Sequence, residues 1–103
     1  MDGEQTIDDL TCAWEQDGEV IVEELDKYIL SKGAWSTIMF LYREKKSDGS
    51  WSPPKVRVQR YQKSRGRYMS KSKFNISSEK QARMIVSQLQ HWYDDQKDEE
   101  AEA

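Results

Sequence analysis

Residues 55–63 and 67–76 alternate in polarity and are separated by Ser64-Arg65-Gly66, which commits the middle of the chain to a β-hairpin. In the first run Val56 and Val58 fall on one face, and Lys55, Arg57, Gln59, Tyr61 and Lys63 on the other. In the second, Tyr68, Phe74 and Ile76 oppose Arg67, Lys71, Lys73 and Asn75, with Met69 breaking the pattern on the polar side. Ser78 then opens a helix, with Gln81 three residues on in a capping-box arrangement. Ala82, Ile85, Val86, Leu89, Trp92 and Tyr93 recur at three- and four-residue spacing and form one apolar stripe. Such a stripe must cover something, and the apolar face of Val56, Val58, Phe74 and Ile76 is the expected partner.

Upstream, residues 35–45 read as an aromatic and β-branched strand, closed by the turn signal Ser47-Asp48-Gly49-Ser50. Pro53-Pro54 keeps the next segment extended. Asp17-Gly18 suits the turn of a short hairpin between residues 12–16 and 19–23, and residues 25–30 fit a further strand. A helix over residues 20–29 is the competing reading, because short apolar runs do not separate strand from helix. The expected fold is α+β: an antiparallel, strongly twisted sheet of about four strands, packed on one face by a single C-terminal amphipathic helix. Residues 1–10 read as a disordered acidic lead, residues 11–93 as one domain, and residues 94–103 as a disordered acidic tail. Asp94 and Asp95 place negative charge at a helix C-terminus, where the helix is expected to fray.

Charge is sorted along the chain. Residues 1–26 carry ten acidic groups and no Lys or Arg, and residues 27–93 carry fifteen basic groups against three acidic ones. Residues 94–103 carry six acidic groups and one Lys, so a net charge of −3 conceals a basic module between acidic ends. A dense basic block is the footprint of a polyanion binder, because Lys and Arg displace condensed counterions from phosphates. With the helix on the apolar face, the other sheet face is expected to be open and basic. Lys55, Arg57, Gln59, Tyr61, Lys63, Arg65, Arg67, Lys71 and Lys73 are the candidate contacts, with Tyr61, Trp51 and Trp35 as stacking platforms for unpaired bases. Like charges facing each other across a ladder destabilise a sheet unless a counterion such as phosphate joins them.

Other chemistries find no residues. One His, His91, and one Cys, Cys12, make no Cys/His metal site and no disulfide. No glycine-rich phosphate loop and no nucleophile elbow appear, so no catalytic residue, cofactor or metal is expected and the chain does not read as an enzyme. The acidic N-terminus lacks an apolar stretch, so no signal peptide is expected, and the longest apolar stretch, residues 38–42, is far too short to span a bilayer. Cytoplasm (the nucleoid, if bacterial) or nucleus is the expected location, and nucleic acid, with single-stranded DNA favoured and DNA not separated from RNA, the expected partner.

Two stretches carry a family resemblance. The aromatic strand beginning at Ile38, followed by Asp48-Gly49-Ser50-Trp51-Ser52-Pro53, and the step Phe74-Asn75-Ile76-Ser77 into a helix, together resemble the positive-coactivator type of single-stranded-DNA-binding transcriptional regulator. The Pur and Whirly proteins share its general plan. The resemblance covers about half the chain, and the strand at residues 55–63 is an addition to the simplest version. It implies a dimer whose sheets together grip single strands. Residues 68–89 also resemble the three-stranded arm-binding domain of phage-type integrases, which implies a sheet laid in the major groove of duplex DNA. A third alternative is a protein-interaction module whose basic sheet meets an acidic partner.

Overall fold

The computed structural model describes the backbone of residues 5–102 and the side chains of residues 5–94. Five strands form one curled antiparallel sheet in chain order: β1 (Trp14–Gln16), β2 (Glu19–Ser31), β3 (Trp35–Glu44), β4 (Lys55–Ser64) and β5 (Arg67–Ile76). The helix α1 (Glu79–Glu102) follows. The expectation of about four strands is thus one short. Residues 19–31 run as a single strand, in place of two short strands or a helix, because two bulges let it follow the curl of β3. The hairpin turns are those the sequence announces. Asp17-Gly18 and Arg65-Gly66 both have two successive positive φ values, 54° and 80° in the first and 53° and 77° in the second. That is the type I′ geometry whose twist matches paired strands.

Residues directly opposite in an antiparallel ladder share a face. On β3 the buried set is Ser36, Ile38, Phe40 and Tyr42, which defines the core face. Their partners on β4 are Tyr61, Gln59, Arg57 and Lys55. The core is closed from above by the N-terminal segment, not by the helix. A 3-10 turn at Ile7–Asp9 leads into Leu10 and Cys12, which are buried against Ile38, Phe40, Tyr42 and Tyr61. The expected disordered lead is therefore ordered from Gln5, and only residues 1–4 of it lie outside the described residues.

The largest departure concerns α1. Its start follows the sequence: the Ser78 Oγ accepts from the Gln81 N–H at 3.1 Å. Gln81 returns its Oε1 to the Ser77 N–H at 3.0 Å, one residue before the expected box. The helix then leaves the sheet, and its main contact is with β5. Met84, Val86, Leu89, Trp92 and Tyr93 are all exposed, and Phe74 on the intended partner face is 54% exposed. The radius of gyration is 17.4 Å, against about 13 Å for a compact chain of this length. No turn stands between Ile76 and the helix that would fold it back over the strands, only Ser77 and Ser78. The helix also continues through the expected fraying point to Glu102. The Gln, Lys, Glu and Ala of that stretch are good helix formers, and no Gly or Pro stops it.

Candidate nucleic-acid interface

Residues 49–78 contain eight Lys and Arg and no Asp or Glu. They build β4, the Arg65-Gly66 turn and β5, so the acid-free run becomes a hairpin at the edge of the sheet. The two ends of this hairpin differ. Near the helix, its cations are already engaged. Lys55 Nζ lies 2.6 Å from Glu44 Oε1, and that hydrogen bond raises the Lys55 pKa. Arg57 Nε donates to Asn75 Oδ1 at 2.8 Å, and its guanidinium lies 4.8 Å from the Tyr42 ring centre. Gln59 Nε2 donates to Ser70 Oγ at 2.8 Å. Lys63, Arg65, Arg67 and Lys71 towards the turn, and Lys73 opposite Gln59, are all exposed. Lys63 lies 5.5 Å from the Tyr68 ring, and the neighbouring positions are Ser64, Ser70 and Ser72. The positive potential is therefore concentrated at the tip and outer edge of the hairpin.

The expected single basic face is divided between the two faces of the sheet. The register of β4 and β5 shifts at Arg60/Tyr61, so Lys71 is the extra residue of a bulge. Beyond it the alternation of β5 inverts. Lys73 and Asn75 share the core face with Gln59 and Arg57, but on the turn side it is Tyr68 that joins them, opposite Lys63. Tyr68 packs against the core, and Arg67 goes to the outer face with Phe74 and Ile76. Met69, which broke the sequence pattern, was the visible trace of this shift.

Tyr61 is the clearest correction. It is 5% exposed, a core residue covered by Leu10 and Cys12 rather than an open platform for a base. Burial pushes its phenol up to about 12. The alternation of residues 55–63 placed it on the polar face correctly. That face is the one the N-terminal segment covers.

Trp35 and Trp51 stand on the outer face, away from Arg57 and Lys73. Arg60 sits diagonally across the ladder from Trp35, its guanidinium 4.5 Å from the ring centre. At the other end of β3, Arg43 lies 4.4 Å and Lys45 5.8 Å from the ring of Trp51. Cation–π contacts on Trp35 and on Trp51 thus cap the two ends of the outer face, about 26 Å apart along β3. Arg43 and Arg60 escaped the sequence reading. Arg60 shares the parity of Val56 and Val58, the face read as apolar. Only the register with Trp35 reveals its role.

Between these pairs the outer face is apolar: Met39, Leu41, Val56 and Val58 are half-buried and Tyr28 is exposed. A cavity of about 430 Å³ opens where this face meets the root of α1, lined by Leu41, Pro53, Pro54, Val56 and Ala82 among others. Among the described residues no group of His, Cys, Asp and Glu is arranged to hold a metal ion, and no helix is long and apolar enough to cross a membrane. Comparison with protein-family models, with curated proteins and with solved structures finds no match to this chain.

Proposed function

We propose that the chain is a non-catalytic binder of single-stranded nucleic acid, with DNA favoured, and that the β4–β5 hairpin carries the contact. The observation behind this is the acid-free run of residues 49–78, folded into an edge hairpin with five exposed cations at its tip and rim. Lys63, Arg65, Arg67, Lys71 and Lys73 serve as phosphate contacts, and Arg57 and Gln59 as polar groups already oriented by Asn75 and Ser70. The exposed rings of Trp35 and Phe74 offer faces to unpaired bases, which duplex DNA keeps stacked. This arrangement fits a transcriptional regulator of the positive-coactivator type, the family that the two stretches of sequence resemble.

A second copy of the chain is the partner that fits the uncovered apolar surface. The stripe of α1 needs a sheet to cover it, and the outer face of the sheet needs a helix. The chain's own helix departs from the sheet at its root, so an exchange between two copies satisfies both surfaces at once, with the isologous symmetry of a two-fold dimer.

The test is competition among single-stranded DNA, duplex DNA and RNA of equal length at several salt concentrations. Five phosphate contacts on a single strand give a slope of log affinity against log salt of roughly −3 to −4. Preference for the duplex would favour the integrase-like alternative, and a slope near zero would sink the phosphate-contact reading.

A further inference from the structure

Residues 5–12 lie across the core face as a strap. At one end the Gln5 N–H donates to Gly66 O at 2.9 Å, and Gln5 Oε1 accepts from the Tyr68 N–H at 2.8 Å. Both partners belong to the tip of the basic hairpin. At the other end Lys27, on β2, donates from Nζ to the carbonyls of Ile7, Asp8 and Leu10 at 3.0, 3.0 and 2.6 Å. Glu24 Oε1 accepts from Thr11 Oγ1 at 2.6 Å. The strap therefore spans the sheet from β5 to β2. Among the described residues a single backbone–backbone hydrogen bond, that of Gln5, joins it to the sheet.

Its course lies over groups that a single strand would use. It starts at Gly66, between Arg65 and Arg67 in the chain, carries the exposed carboxylates of Asp8 and Asp9, and passes over aromatic rings. Phe40, Tyr42 and Tyr61 lie beneath it, and Arg57 stands beside them on Tyr42. Arg57 is also the ladder partner of Phe40, which places it on the same face as the floor. A row of rings flanked by Arg and Lys is what unstacked bases and their phosphates require.

We propose that residues 5–12 are an internal competitor: they occupy the path a single strand takes across this face, and the strand gains Phe40, Tyr42 and Tyr61 as a stacking floor only when the strap lifts. The inference rests on the nucleic-acid reading above. Affinity is then reduced by the fraction of molecules in which the strap is open. The Lys27 ammonium is the clamp, since it holds three carbonyls of the strap at once.

Cys12 is the one thiol in the chain and is buried on the underside of the strap, so it reports the opening directly. The rate of Cys12 modification by a water-soluble disulfide reagent is measured on the full chain, with and without saturating oligo-deoxythymidine. Lifting predicts a rate at least about tenfold higher with the oligonucleotide. Lys27→Met should raise the rate in the free protein and tighten oligonucleotide binding by about threefold or more, with circular dichroism unchanged. The lost positive charge opposes that gain and cannot cause it. Oligonucleotide binding that leaves Cys12 equally or better protected would overturn the strap inference and leave the nucleic-acid reading standing. No binding to the wild-type chain would overturn both. If Lys27→Met does not fold, the Cys12 rate in the wild type decides alone.

Discussion

Tyr61 concentrates several consequences at the scale of one residue. Its ring is buried among Leu10, Cys12 and Phe40, so Tyr61→Ala should cost about 3–5 kcal/mol in denaturant unfolding. Its phenol is displaced from 10.0 to about 12, so the folded state favours the neutral form. The resulting stability is complete below pH 10 and is lost as pH rises through about 12, a difference of about 2–3 kcal/mol. Tyr61→Phe should remove that alkaline dependence, measured as unfolding free energy from pH 9 to 12 against the wild type. An identical pH profile in both proteins would show that other groups carry it. The exposed cations behave in the opposite way. Lys71→Ala and Lys73→Ala should leave melting temperature almost unchanged, because neither side chain is packed. Each should make the salt slope shallower by about 0.7 in single-strand titrations. Trp35→Ala should instead weaken binding by about 1–3 kcal/mol at constant slope, as loss of a stacking face does.

At the scale of elements, the β4–β5 turn and the helix are the places to press. Gly66 has φ of 77°, a conformation a side chain resists, so Gly66→Ala should destabilise the hairpin by about 1 kcal/mol in thermal unfolding. On α1, Leu89→Glu should leave the monomer folded, since Leu89 is exposed, and should halve the sedimenting mass if a second copy covers the stripe. An unchanged mass would rule out that use of the helix. Much of this level was legible in the sequence. The boundaries of β5 and the Ser78 cap follow from alternation and side-chain chemistry, and those of β3 and β4 fall within a residue of expectation. The bulge at Lys71 was not legible as such. A one-residue shift leaves only a local misfit, Met69, and the misfit does not say where the extra residue lies. The position of α1 was not legible either. An amphipathic stripe states that a helix needs cover, and carries no information on which molecule supplies it. The strap was missed for a third reason: its acidic composition reads as solvated chain, while its hold depends on Ile7, Leu10 and Cys12, too sparse to form a periodic pattern.

Over the whole molecule, strand order equals chain order, so the linear sorting of charge becomes a gradient across the sheet. Glu15, Asp17 and Glu19 lie at the β1–β2 edge, and Arg67, Lys71 and Lys73 at the β5 edge. Part of the acidic side is neutralised by its neighbours, Glu23 by Arg43 at 2.6 Å and Glu19 by Lys45. Truncation after residue 93 removes six further acidic groups. It should tighten non-specific single-strand binding at low salt, with the gain vanishing at high salt, because the attraction of a tethered tail is screened within about 8–10 Å at physiological ionic strength. Equal affinity of both forms at low salt would leave the tail without a competing role. The strap has a consequence of another kind, in time. Each strand pairs with the one made just before it, so hairpins can form in order as the chain emerges and their loop closures are short. Gln5 must wait longest, for Tyr68, 63 positions later, before its contact exists. The last tie to close is then the first to open: Gln5→Ala should speed unfolding and leave the refolding rate nearly untouched, so the lifetime of the native state, rather than the speed of reaching it, is set at this end of the chain.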